Sequence, residues 1–219
     1  MNSPQVFLPS YDLGAAVRWD FGVWSLRAVY MNVGKDQRAD VGDQGKATKL
    51  TDRDLGGDYD YLGAEIGYSV RTPFGEGNYR LVASSTSRDF VDPRGMRAER
   101  RSALALSFDQ ELGDVLGVFI RIDDQSDDAA INYDSAYAGG LDIRGNLWGR
   151  ERDNIGLGIA LMNGGNQGIE STRVAEAYYR LVLHEQYALT ADLQHMKDDK
   201  TSGKDPEGFI FGLRADLRF

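Results

Sequence analysis

The last thirteen residues of the chain, Glu207 to Phe219, alternate between apolar and polar side chains. They read EGFIFGLRADLRF, and the apolar parity carries Phe209, Phe211, Leu213, Ala215, Leu217 and Phe219. The opposite parity carries Gly212, Arg214, Asp216 and Arg218. A period of two is the spacing of side chains on a β-strand. The segment therefore predicts a strand with one apolar and one ionic face.

Two environments suit such a strand. In a soluble antiparallel sheet the apolar face packs on a core and the ionic face meets water. In a transmembrane barrel the apolar face meets lipid and the ionic face meets a watery lumen. The final residue is an apolar aromatic with no charged tail, which favours the membrane, but the soluble alternative stays open on this segment alone.

The composition narrows the possible functions. The chain has 34 acidic and 25 basic residues, a net charge of −9, so nucleic acid is not expected as a partner. It contains no run of apolar residues long enough for a spanning helix. With no cysteine and only His184 and His195, neither near a recognisable Ser and Asp spacing, no catalytic site, metal site or cofactor is expected. The acidic run at Asp123–Asp128 lacks the pattern of a calcium loop.

Alternation recurs along the whole chain and predicts one all-β domain over residues 1–219, an antiparallel up-and-down transmembrane β-barrel. About eleven strands are predicted, at residues 13–21, 23–33, 60–71, 78–88, 100–109, 115–124, 137–148, 154–162, 173–183, 187–197 and 208–219.

The connections alternate in length. Short turns fall near 21–23, 73–77, 110–114, 149–153 and 184–186, and long polar loops at Gly34–Asp58, Asp89–Glu99, Gln125–Asn132, Asn163–Thr172 and Asp198–Glu207. Outer-membrane barrels have short periplasmic turns and long extracellular loops. We therefore expect a bacterial outer-membrane location with a periplasmic C-terminus and extracellular long loops.

The face opposite the apolar one is rich in ions, which cannot occupy a dry core. We expect a wet lumen lined by Arg121, Arg144, Arg180, Arg214, Asp142, Glu176, Tyr178, Asp192 and Asp216. On the last strand, Phe209, Phe211, Leu213, Leu217 and Phe219 should face lipid and act as the membrane assembly signal. The alternative is that the ions only pair and stiffen the wall.

Three arginines on the ionic face are expected to lie close together. Arg144, Arg180 and Arg214 share the ionic parity of strands that run in one direction, and each is expected mid-strand at a similar depth. They would form a positive constriction, held apart by Asp142, Glu176, Asp192 and Asp216, and Arg121 is expected to join them.

Four segments in order resemble the carbohydrate-selective porins of the OprB type: SFDQELGDVLGVFIR, YAGGLDIRGNLWGRERDNIGLGIAL, VAEAYYRLVLHEQYALTADLQHMKD and GFIFGLRADLRF. The likeness covers 107–219 well and the first half more loosely. It implies outer-membrane barrels of sixteen strands that pass sugars by passive diffusion through an arginine-rich constriction. That family's chains are about twice as long, so we expect this chain to be the C-terminal part of a porin lacking its N-terminal strands.

The expected function is passive diffusion of small saccharides, with outer-membrane lipid around the barrel and, as in porins generally, a homotrimer. A second hypothesis is a structural barrel or scaffold that encloses another protein. A third is a soluble ligand-binding β-barrel.

Overall fold

The computed structural model describes residues 13–33 and 59–218. Its long strands are β1 (Leu13–Phe21), β2 (Trp24–Val33), β3 (Tyr59–Thr72), β4 (Gly75–Thr86), β7 (Ser102–Leu112), β8 (Leu116–Gln125), β9 (Tyr133–Arg144), β10 (Asn154–Gly164), β11 (Ile169–His184), β12 (Tyr187–Lys200) and β13 (Glu207–Leu217). Between β4 and β7 lie two short strands, β5 (Phe90–Val91) and β6 (Ala98–Glu99). The predicted loop Gly34–Asp58 and the terminal Phe219 lie outside the described residues.

The long strands form one antiparallel sheet of eleven strands, each paired with its neighbours in chain order. This confirms the all-β, up-and-down prediction. Within the described residues β1 and β13 are the two edges and the sheet is not closed, so the sixteen-stranded barrel stays a prediction. No helix among these residues is long and apolar enough to cross a membrane.

The two faces of the sheet differ sharply. One row of cross-strand partners reads Leu141, Leu157, Ala177, Leu193, Phe211, and the next reads Asp142, Gly156, Tyr178, Asp192, Gly212. The apolar face is open to the surroundings: Phe211 and Leu213 are each 80% exposed and Ile159 is 70% exposed. We call the two sides the apolar face and the charged face. An apolar surface of this size that no other part of the described protein covers is expected to contact lipid.

Aromatic rings form a band across the apolar face where β2, β3, β4 and β7 approach their short connections. Ring centroids are 4.6 Å apart for Trp24 and Tyr68, 6.2 Å for Tyr68 and Tyr79, and 5.8 Å for Tyr79 and Phe108. Tyr and Trp favour the headgroup level of a membrane. The band therefore marks one boundary of the apolar zone.

Four of the five connections at one end of the sheet, which we call the turn end, have two or three residues, whereas Gly145–Asp153 at that end has nine. The described connections at the other end, the loop end, have four to fifteen residues. The predicted loops were partly strand. β11 begins at Ile169 and β12 runs to Lys200, so the connections shrink to 165–168 and 201–206.

The strand predicted over 137–148 was displaced. β9 spans Tyr133–Arg144, and Gly145–Trp148 forms a 3-10 turn, which places Leu147 in a connection rather than on the apolar face. The turn ends at Gly149, whose φ of 74° is left-handed and suits glycine. Alternation could not reveal this end because Leu147 keeps the parity of the strand before it.

The connection from Gly145 to Asp153 is held by one buried carboxylate. Asp153 is 2% exposed. It accepts hydrogen bonds from the Arg150 guanidinium, from the Tyr179 hydroxyl at 2.5 Å and from the Val182 N–H at 2.8 Å. The bond from Arg150 lies within the connection, and the bonds from Tyr179 and Val182 link the connection to β11. Asp153 thus joins the β9–β10 connection to the neighbouring hairpin.

These contacts predict a pH dependence of stability. The Arg150 guanidinium, with Tyr179 and the Val182 N–H, lowers the pKa of Asp153 from 3.8 to about 2. The folded protein therefore favours the ionised form, and its stabilisation is complete above about pH 5 and lost as the pH falls to about 2. At about 1.4 kcal/mol per pKa unit the free energy of unfolding should lose about 2 kcal/mol.

Urea unfolding of wild type and Asp153→Asn between pH 2 and 7 measures this loss. The stability difference between the two proteins should be constant above pH 5 and should shrink below pH 4. A difference that stays constant down to pH 2 would contradict the role assigned to this carboxylate.

Candidate functional site

The sheet register places three predicted arginines in one cross-strand row on the charged face. In the register of the sheet, Arg144 lies opposite Asn154, and Asn154 lies opposite Arg180 on the next strand. Arg180 in turn lies opposite Thr190, and Thr190 lies opposite Arg214. We call these five residues the arginine row. Alternate strands supply the guanidiniums, and the strands between them supply an amide and a hydroxyl. Arg144 is the last residue of β9, not a mid-strand residue as expected from the sequence.

The ion pairs of the row differ from the expected ones. Arg180 and Arg214 approach the same carboxylate, Asp216, at 3.8 and 3.7 Å. Arg144 pairs instead with Glu111 on β7. Two guanidiniums with one loosely held carboxylate keep donors free for another ligand, because each guanidinium carries five N–H groups.

The other three predicted acidic partners hold no arginine within the described residues. Asp142 accepts from the Asn154 amide at 2.5 Å and lies 3.5 Å from the Tyr178 hydroxyl. Glu176 contacts Asp192 and Gln194. The expectation that these carboxylates separate the arginines was therefore wrong; they form an acceptor-rich patch beside the row.

Arg121 does not join the row. Its cross-strand partners are Ser107 and Ala138, and Ala138 lies six residues before Arg144 on β9, which is about 20 Å along a strand. Arg121 pairs with Asp109 at 2.6 Å, and Arg80 approaches the same carboxylate at 3.9 Å. Its guanidinium also lies over the Phe119 ring, 5.2 Å from the centroid.

A recess of about 500 Å³ lies on the charged face where β10 to β13 run side by side. It is lined by Asn154, Glu176, Tyr178, Arg180, Thr190, Asp192, Gln194, Ile210, Gly212, Leu213 and Arg214. It therefore brings together five of the nine predicted lining residues: Glu176, Tyr178, Arg180, Asp192 and Arg214. The other four, Arg121, Arg144, Asp142 and Asp216, lie outside the recess, and Arg121 is the most distant of them by register.

The Tyr178 side chain lies flat along the wall of this recess. A side-chain carbon on Gly156, its cross-strand neighbour, would come within 2.0 Å of the Tyr178 ring. Glycine at 156 therefore lets the ring lie against the strand, with the Tyr178 hydroxyl next to Asn154 at 3.3 Å. In the sequence the only sign of this arrangement is a glycine among the residues of the ionic face, and the alternation pattern does not say why a glycine stands there.

The alternation of residues along the sequence did not predict a short hairpin between β4 and β7. The segment predicted as the loop Asp89–Glu99 contains the hairpin of β5 and β6. Phe90 packs edge-on against Tyr59 with ring centroids 5.2 Å apart, and the Arg101 guanidinium lies 5.5 Å from the Phe90 ring. Tyr59 shares its parity with Glu65 on the charged face, so the hairpin lies over that face at the loop end.

Neighbouring loops hold this hairpin. The Ala130 N–H donates to the Val91 carbonyl. The Asn166 side chain donates to the Asp127 and Ala129 carbonyls and accepts from the Ile131 N–H. Both Ala129 and Ile131 are buried. Three loops therefore form one packed layer beside the charged face.

Phe90→Ala should loosen the hairpin. The substitution removes the ring contacts with Tyr59 and Arg101, so amide hydrogen exchange over residues 88–101 should quicken by about tenfold, corresponding to about 1.4 kcal/mol. Hydrogen exchange with mass spectrometry measures it. The control is Met96→Ala at the exposed hairpin tip, which should leave exchange unchanged. Equal effects of both substitutions would show that Phe90 does not anchor the hairpin.

Among the described residues no group of three or more His, Asp or Glu side chains could hold a metal ion. His195 lies on the apolar face, where it contacts Glu207 at 3.1 Å and the Phe209 ring. It has no place in the recess.

The model of the OprB family, described as carbohydrate-selective porins, matches residues 6–219. A high-pH structure of OprB from Pseudomonas putida superposes with a TM-score of 0.66 at 14% sequence identity, covering 92% of this chain and 57% of that one. The chain thus spans just over half the length of that structure, and this likeness supports the fold. Comparison with curated proteins gives no match.

Proposed function

The chain belongs to the OprB family of carbohydrate-selective porins, and on that premise we propose that it forms part of an outer-membrane channel through which small saccharides diffuse passively. The charged face is the lumen wall in this proposal, and the apolar face meets lipid. The arginine row carries the proposal, because it presents guanidinium, amide and hydroxyl donors along one line of the wall.

The arginine row is better suited to passing a solute along the pore than to holding it at one site. Strands of outer-membrane barrels tilt by about 35–45°, and neighbouring strands lie about 4.8 Å apart, so a cross-strand row climbs by about 3 Å per strand. Arg144, Arg180 and Arg214 then form a ramp along the pore axis rather than a ring at one depth. A solute passes between successive weak sites, which conduction requires.

We propose the orientation in which the turn end faces the periplasm and the loop end faces outward. The described connections support it in part, since four of the five at the turn end have only two or three residues, as periplasmic turns of outer-membrane barrels do, with Gly145–Asp153 as the exception. The packed loop layer with Phe90 would then narrow the outer mouth of the pore.

Planar-bilayer recording of the full-length protein tests the channel. Stepwise conductance with partial, concentration-dependent block by a monosaccharide is the expected result. Absence of conductance, or conductance that no sugar alters, would refute the proposal. Occupation of the lumen by a second polypeptide in the purified protein would instead support a scaffold.

A further inference from the structure

The recess between β10 and β13 contains a buried hydroxyl, that of Thr190. Thr190 is 6% exposed, and its Oγ1 has no hydrogen-bond partner among the described residues. Its cross-strand neighbours are Arg180 and Arg214. A buried hydroxyl left unpaired costs free energy. It persists here beside two guanidiniums that are themselves loosely paired with one carboxylate.

The recess offers three kinds of surface around Thr190. Arg180 and Arg214 supply hydrogen-bond donors at the row. Glu176 and Asp192, which contact each other, supply acceptors at the opposite side. The Tyr178 ring lies flat over Gly156 and supplies an apolar surface. The volume, about 500 Å³, lies within the range of ligand pockets, about 300–1,000 Å³.

We propose that this recess is a binding subsite for one neutral hexopyranose, with Thr190 as a direct contact. The subsite rests on the proposed channel function. Hydroxyls of the sugar donate to Glu176 and Asp192, and sugar oxygens accept from Arg180 and Arg214. The C–H face of the ring lies on Tyr178. A sugar hydroxyl between these two guanidiniums gives the Thr190 hydroxyl a hydrogen-bond partner.

The charges favour a neutral solute over a charged one. The recess holds two cations, Arg180 and Arg214, and two carboxylates, Glu176 and Asp192, with Asp216 adjacent. A sugar acid that satisfied the arginines would bring its carboxylate towards the two acidic side chains. An amino sugar would face the reverse conflict. A polyol donates and accepts with the same hydroxyl groups and so matches both sides.

Sugar block of the full-length channel in planar bilayers tests the subsite, with glucose, glucuronate and glucosamine as probes. Glucose should block wild type at lower concentration than either charged sugar. Thr190→Val keeps the side-chain shape but removes the hydroxyl, and should raise the half-blocking glucose concentration by about 2- to 10-fold. Thr190→Ser keeps the hydroxyl and should stay within about twofold of wild type.

A second variant guards against an effect of Thr190 on folding alone. Tyr178→Leu removes the flat ring and the hydroxyl and should weaken glucose block by a similar factor, while single-channel conductance shows that the pore has assembled. If glucose blocks wild type, Thr190→Val and Tyr178→Leu equally, the proposed subsite is wrong and the channel function stands. If no sugar blocks wild type, the channel function itself fails.

Discussion

Asp153→Ala should lower the free energy of unfolding by about 3 kcal/mol, because it leaves two hydrogen-bond donors on β11 without their acceptor. The Tyr179 hydroxyl at 2.5 Å and the Val182 N–H at 2.8 Å, both half-buried, lose the buried carboxylate that accepts from them. Arg150 loses its partner too, but its side chain is 45% exposed and regains water. Most of the loss should therefore come from the two donors on β11.

Urea unfolding of the detergent-folded protein at pH 7 measures this loss, and gel mobility before and after heating reports assembly. Glu151→Ala is the matched control, since it removes an exposed carboxylate from the same connection. Its effect should stay within about 0.5 kcal/mol. Equal stability of the two variants would show that the connection is not held by Asp153.

The double substitution Arg180→Ala and Arg214→Ala should weaken sugar block by about tenfold or more while the sheet still forms. Both side chains are partly exposed on the charged face and share Asp216, so their loss removes sugar-binding donors without opening an apolar core. The loss of two hydrogen bonds from charged groups corresponds to at least a factor of ten. It should also shift ion selectivity towards cations, because Asp216, Glu176 and Asp192 remain.

Planar-bilayer recordings of block and reversal potential measure both effects. Arg71→Ala is the control: this arginine lies at the turn end of β3, pairs with Glu76 and is not among the residues that line the recess. Its sugar block should equal that of wild type. If the double variant assembles and transports unchanged, the selective region lies elsewhere, and the loop layer around Phe90 becomes the first region to test.

The single variants separate the two arginines. In Arg180→Ala the guanidinium of Arg214 keeps Asp216, and in Arg214→Ala that of Arg180 does, so neither change isolates the carboxylate. Each should weaken block less than the double substitution. A ramp of weak sites predicts this graded loss, whereas one ring at a single depth predicts that either change alone nearly abolishes block.

The sequence by itself determined the eleven long strands, their antiparallel order and which side chains share a face. A strand exposes side chains with a period of two, so Phe211 and Leu213 could be assigned to one face and Arg214 and Asp216 to the other without any tertiary contact. The lists of charged and apolar residues follow from that periodicity, except that Leu147, which shares the apolar parity, lies in a connection.

Tertiary structure decided the register, and with it the partners. Alternation places Arg144, Arg180 and Arg214 on one face but not in one row, because a shift of two residues preserves the face and changes every neighbour. Because of the same ambiguity, Asp142 and Glu176 were expected to pair with the arginines. In the structure Arg144 pairs with Glu111, and Arg180 and Arg214 both approach Asp216.

Contacts that do not follow strand periodicity were also beyond the sequence. Phe90 sits in a polar, charged segment, and only its packing on Tyr59 shows that this segment turns over the charged face. Thr190 gives no signal in the sequence, since a hydroxyl on a strand is ordinary. Its burial between two arginines, with no partner among the described residues, arises from three strands meeting in one register.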